Sequence, residues 1–83
     1  MEHKLHLLKT WTEFFNAIQR GEKTFEVRKN DRDFKPGDIV ELQEWNPATH
    51  QYSGRSLTFT IGFIVDSDFG LQSGFCAFSL IPR

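Results

Sequence analysis

Eight consecutive residues, Gly21-Glu22-Lys23-Thr24-Phe25-Glu26-Val27-Arg28, have the form G-x-K-x-x-E-x-R. Arg28 offers a planar fork of donors that fits a carboxylate, a phosphate or a base edge. Glu26 accepts hydrogen bonds from an amino group such as the exocyclic amine of cytosine or adenine. Lys23 supplies a point charge, or a base where burial lowers its pKa. The set suits a small polar anion such as a nucleotide. The alternative is an ion-paired cluster that only fixes the loop to the rest of the fold. Asn30-Asp31-Arg32-Asp33 extends the polar stretch, with Arg32 as a ligand contact or as the partner of a neighbouring Asp. Trp45 and Tyr52, followed by Arg55, form a second candidate group. They make a stacking platform for a base, or else Trp45 closes one end of the sheet with Tyr52 packed on it across a hairpin.

The elements around these residues decide whether they meet. Thr24–Arg28 alternates, with Phe25 and Val27 on one side and Thr24, Glu26 and Arg28 on the other, which predicts a half-buried strand. Glu26 and Arg28 then share a face, roughly 6–7 Å apart by strand rise. Lys23 joins that face only if the strand starts after it. Upstream, His3–Leu8 reads as a strand. Thr10-Trp11-Thr12-Glu13 fits a capping box, and Phe14, Phe15 and Ile18 continue one helical face from Trp11, which reads as a core or staple residue. Gly21 suits the position just past the helix.

Downstream, Lys29–Lys35 is polar and reads as a loop. Lys35-Pro36-Gly37-Asp38 fits a type II turn. Strands follow at Ile39–Trp45, Arg55–Val65 and Phe75–Ile81, with a hairpin connection over Asn46–Gly54 and a loop over Asp66–Gly74. In the long strand, Leu57, Phe59, Ile61, Phe63 and Val65 fall on one face. The order β-α-β-β-β-β defines an α+β class: a small, mainly antiparallel five-stranded barrel with one helix after the first strand. Closure is expected because it removes exposed edges.

The totals set the frame. Eighty-three residues make one domain with a modest core, in which nine Phe, two Trp and one Tyr supply large burial per residue. No apolar run reaches the roughly 20 residues of a membrane helix, and no secretory signal precedes the first strand. One cysteine, Cys76, allows no internal disulfide and fits a cytoplasmic setting. Cys76 itself reads as a small buried residue. The three histidines have no recognised metal spacing, so neither a metal nor a cofactor is expected. Net charge is −1, which excludes the global basic footprint of many nucleic-acid binders. Charge is concentrated locally: Arg20–Asp38 holds six of the ten basic and five of the eleven acidic residues.

The signature Gly21, Lys23, Glu26, Arg28 after the first helix resembles that of ASCH domains, which share the PUA-like β-barrel. The longer run from Lys23 to Asp38, with Leu42-Gln43-Glu44-Trp45 and Tyr52-Ser53-Gly54-Arg55, is similar to a small bacterial and phage subfamily of unassigned function. This likeness covers nearly the whole chain. It implies a cleft beside the helix, lined by the four signature residues, and a role in binding RNA or a nucleotide-like molecule. One enzyme of the ASCH family hydrolyses the acetyl amide of acetylcytidine. Lys23 matches that enzyme's lysine, and Glu26 stands where it has threonine. A small amidohydrolase acting on an acylated nucleoside, with Lys23 and Glu26 as its catalytic pair, is therefore an alternative. A protein-interaction module whose charge cluster is structural is another.

Overall fold

Alternation governs the first strand further than its length suggests. In the computed structural model, which describes residues 2–83, β1 spans Leu5–Trp11. His6, Leu8 and Thr10 point inward; Leu5, Leu7, Lys9 and Trp11 point outward. The capping box does not form. Helix α1 runs Thr12–Gln19 and has no side-chain cap at its start. Thr10 instead stays in the strand opposite Glu44, and its hydroxyl donates to the Leu8 carbonyl at 3.3 Å. An N-cap contributes about 1 kcal/mol. Extending the parallel pairing as far as Trp11 opposite Trp45 outweighs it. The helix buries Phe15 and Ile18. It closes through Gly21, whose φ of +80° only glycine adopts without strain. The Gly21 and Glu22 amides donate to Ile18 and Ala17 carbonyls at 3.0 and 2.9 Å.

The remaining elements are β2 (Phe25–Lys29), β3 (Ile39–Asn46), β4 (Gln51–Val65), a single 3₁₀ turn at Ser67–Phe69, and β5 (Phe75–Pro82). They form one sheet in the order β1-β3-β4-β5-β2. β1 pairs with β3 in parallel, and the other three pairings are antiparallel. The sheet curls into a half-barrel around Leu8, Ile18, Phe34, Val40, Leu42, Ile61, Cys76, Phe78 and Leu80. Phe34 comes from the segment expected to be only polar loop. It packs on Phe78, with ring centroids 5.1 Å apart.

Closure by strand pairing, which the sequence leads one to expect, does not occur. β1 and β2 are the two edges of the sheet and are not paired to each other. Charged side chains occupy the seam between them, and these hold the edges apart. The face of β2 is reversed for the same reason: Glu26 is buried, while Phe25 and Val27 are exposed. In β4 a register shift between Ile61 and Ile64 breaks the alternation. Ile64 packs on the core and Phe63, expected beside Ile61, is 78% exposed.

The turn before β3 has a second function. Its Asp38 amide donates to the Lys35 carbonyl at 3.0 Å, and Gly37 has a φ of +91°. A side chain at Gly37 would also collide with the His3 ring. Asp38 is buried and accepts from the Lys4 amide (3.1 Å), the Lys35 amide (3.1 Å) and His6 Nε2 (2.9 Å). Burial pushes its carboxyl up, but the hydrogen bonds, led by His6, outweigh that and hold it below its ordinary value. This carboxylate therefore ties the start of β1 to the start of β3. Asp38→Ala would strand three donors and is expected to cost about 3 kcal/mol in urea unfolding. A loss under about 0.5 kcal/mol, the level of an ordinary surface substitution, would contradict this role.

Candidate functional site

Helix α1 ends at Gln19, and four residues later Lys23 still lies outside the strand, which starts at Phe25. This meets the condition for Lys23 to share the Glu26 face. Lys23 Nζ donates to Glu26 Oε1 at 2.6 Å and to the Phe25 carbonyl at 2.7 Å. Arg28 Nε donates to Glu26 Oε2 at 2.7 Å. Both oxygens of one buried carboxylate are thus held by separate cations. Arg28 then reaches across the seam, where Nη2 donates to the Lys9 carbonyl at 2.9 Å and approaches the Thr10 hydroxyl at 3.4 Å. Arg32 repeats the reach lower down, with Nη1 donating to the Leu7 carbonyl at 2.7 Å. Gly21 belongs to the helix terminus and sets the turn that delivers Lys23.

Above this seam lies an open cleft of about 430 Å³. Lys9, Lys23, Arg28, Lys29 and Glu26 supply its charged lining. Trp11 and Phe14, stacked at 6.3 Å between centroids, form one wall, and Val27 and Phe75 lie on the other side. Lys23 Nζ sits 5.6 Å from the Phe14 ring and 5.0 Å from the Phe25 ring. Several of these residues escape a reading of the motif alone. Trp11 is a half-exposed wall residue rather than a core one. Lys9 and Thr10 come from β1, and the strand alternation that places Lys9 outside is the only signal for them.

The second candidate group divides. Trp45 and Tyr52 face each other across the β3–β4 hairpin. Lys9 Nζ stands 4.2 Å over the Trp45 ring, and His50 lies 5.3 Å from it. Arg55 belongs to another network. Its Nε and Nη2 grip both oxygens of buried Glu44 at 2.8 and 2.9 Å. It also donates to Asn16 and Gln19 of the helix at 3.1 and 3.3 Å, and its guanidinium lies 4.9 Å from the Phe15 ring. Ser53 Oγ donates to Glu44 at 2.6 Å. Arg55 thus pins α1 to the hairpin. A smaller hollow of about 240 Å³ beside it holds Glu41 and Glu44 and has no positive excess.

The fold and site together define a small half-barrel domain with a basic, aromatic-walled cleft along its open seam. The chain belongs to the DUF3850 family, described as a domain of unknown function, whose model matches residues 5–80. It is also similar to the "Uncharacterized 12.9 kDa protein in GpA 3'region" of Escherichia phage P2. That protein is 32% identical over 66 residues, which are 80% of this chain and 59% of the relative. The chain therefore spans 59% of the length of that curated relative. Among the described residues, no helix is long and apolar enough to cross a membrane.

The Glu44 network sets an acid limit on stability. The Arg55 and Ser53 hydrogen bonds outweigh burial and hold the Glu44 carboxyl at about 2, against an ordinary 4.5. The unfolded chain takes up this proton first, so the stabilisation is complete above the ordinary value and is lost as pH falls towards 2. Asp38 is depressed in the same direction and adds to the slope. Melting temperature measured from pH 6 downwards should therefore drop below about pH 4.5, and Glu44→Gln should flatten part of that drop. An unchanged slope in Glu44→Gln would remove Glu44 from this account.

Proposed function

We propose that this chain is a binding module for RNA or a nucleotide-like anion, held in the β1–β2 cleft, and that its half-barrel is a PUA-like fold of the ASCH type. The observation that carries the reading is electrostatic. Four cations and one acid line the cleft, in a chain whose net charge is −1. Glu26 already neutralises part of Lys23 and Arg28 and sets their direction. Each keeps donor capacity beyond its named bonds: a third proton on Lys23 Nζ and the Nη1 group of Arg28. Fixed donors beside aromatic walls suit a phosphate joined to a base. The order of elements and the G-x-K-x-x-E-x-R segment support the ASCH assignment. A single buried thiol, Cys76, fits a cytoplasmic setting.

The hydrolase reading is less well supported. A general base needs a lone pair that water can reach, and Glu26 is only 3% exposed. Both Glu26 oxygens are engaged, at 2.6 and 2.7 Å. A purely structural cluster explains Glu26 but leaves Lys29 without a purpose and Lys9 with only the Trp45 ring beneath it. Both line the cleft, and neither forms a salt bridge among the described residues.

Labelled RNA should bind with an affinity that falls as salt rises. Lys23→Ala should weaken binding roughly tenfold and reduce the salt slope by about one. Arg28→Ala should weaken it as well, with some loss of stability because the seam loosens. An acylated cytidine should survive incubation with the protein intact. Salt-insensitive or absent RNA binding, or binding untouched by Lys23→Ala, would overturn the proposal.

A further inference from the structure

The cleft does not end at Trp11. β1 and β3 are in register with Trp11 opposite Trp45, and β3 and β4 with Trp45 opposite Tyr52. Directly paired residues point to the same face of a sheet. The three aromatic side chains therefore make one row across three adjacent strands, on the outer face and perpendicular to the chain direction. Adjacent strands are about 4.8 Å apart, so the row spans roughly 10 Å. Its first member is also a wall of the cleft. Trp11 and Tyr52 are 49% and 55% exposed. Aromatic residues of this size ordinarily contribute most of their area to a core or an interface.

Charge runs along the same line. Lys9 places its ammonium 4.2 Å from the centre of the Trp45 ring, between the cleft and Tyr52. Lys9 also lines the cleft, so one cation serves both surfaces. At the far end Tyr52 borders the hollow that holds Glu41 and Glu44. Glu41 is bound by Gln43 at 3.0 Å and Glu44 is paired with Arg55, so a base stacked there meets, among the described residues, no free cation and only partnered acids. Trp45 is already flanked by Lys9 and His50, so its role is to hold Lys9 in place, while Trp11, stacked on Phe14 on one side, and Tyr52 keep about half their surface exposed.

Building on the cleft reading above, we infer that the ligand is a single-stranded polynucleotide rather than a lone nucleotide. Its phosphates follow Lys23, Arg28 and Lys9, and its bases leave the cleft over Trp11 and continue onto Tyr52. Stacking on rings and tracking of a backbone by cations is the usual physics of single-strand binding, and it tolerates any base sequence. A duplex hides its base faces and gains nothing from the row.

The test uses fluorescence anisotropy with the full chain, titrated into labelled oligouridine of about eight nucleotides, the same length of oligodeoxythymidine, a blunt RNA duplex, and uridine monophosphate as competitor. The single strands should bind more tightly than the duplex. The ratio of the two single strands reports whether the 2′-hydroxyl is read. Tyr52→Ala, whose side chain is exposed, should lose roughly fivefold or more for the long single strand and leave monophosphate competition unchanged. Trp45→Ala should also weaken the oligomer and, because the Lys9 it releases lines the cleft, weaken the monophosphate to a smaller extent; a melting curve on each variant checks that the fold is intact. Lys23→Ala should weaken the oligomer and the monophosphate alike. If folded Tyr52→Ala and Trp45→Ala proteins bind the oligomer as wild type does, or the duplex binds as well as the single strand, the track is overturned while the cleft stands. Oligomer binding that ignores Lys23→Ala as well overturns the cleft and the track together.

Discussion

One buried carboxylate, Glu26, sets the form of the open side of this fold. Removing a carboxylate from water costs several kcal/mol unless charges and hydrogen bonds replace the solvent. Lys23 and Arg28 replace it, one on each oxygen. Once Arg28 is fixed by its Nε, its outer nitrogen has one direction to go, towards the Lys9 carbonyl on the opposite edge. In a parallel strand, alternate residues turn their backbone groups to the same side. Leu7 is therefore the next carbonyl facing the seam, and Arg32 takes it. Two guanidinium groups do between β1 and β2 what a strand ladder does elsewhere. They also cover an edge that would otherwise invite pairing with another chain.

The same device recurs at both ends of β3. A domain of this length buries only about 60% of its unfolded surface, so apolar packing alone leaves little margin. The inward residues of β3 are Val40, Leu42 and Glu44, with Asp38 just before the strand. Apolar side chains fill its middle and a carboxylate stands near each end. Asp38 gathers the start of β1 and the turn. Glu44 gathers the hairpin through Ser53 and Arg55, and Arg55 carries the link to the helix. Three acids, each with both oxygens held by donors, thus fix the three places where the half-barrel could splay open.

Much of this was legible from local signals. The turn at Lys35–Asp38, the helix end at Gly21 and the β-α-β-β-β-β order each follow from backbone chemistry that only certain residues permit. The spacing of Lys23, Glu26 and Arg28 correctly implied that they meet if the strand begins late, as it does at Phe25. What failed was whatever depended on distant partners. Thr10 reads as a cap until β3 claims it as a strand residue. Phe25 and Val27 look like the buried face of β2 until Glu26 finds its cations on the inner side. Phe63 looks like core until a bulge turns it out. The cleft residues Lys9 and Trp11 lie in a strand that joins the motif only through the third dimension.

The open seam is energetically comparable to the closed barrel that its composition suggests. A neutral backbone hydrogen bond contributes about 0.5–1.5 kcal/mol net, and one to a charged group about 1.5–3 kcal/mol. β2 has five residues, of which two or three face a neighbouring edge, and each brings an N–H and a C=O, so a ladder along it offers about four to six bonds. The two guanidinium bonds to Lys9 and Leu7 are of the same total order. Closure would therefore add little stability. It would also draw β1 and β2 to strand spacing, about 4.8 Å, and leave no room for the 430 Å³ between them. Arginine in place of backbone keeps the edges tied and the gap open. It further requires a buried acid to aim the arginine, and that acid brings the lysine. On this argument the charged cluster and the cleft are one feature, because the residues that stabilise the seam are those that make it positively charged.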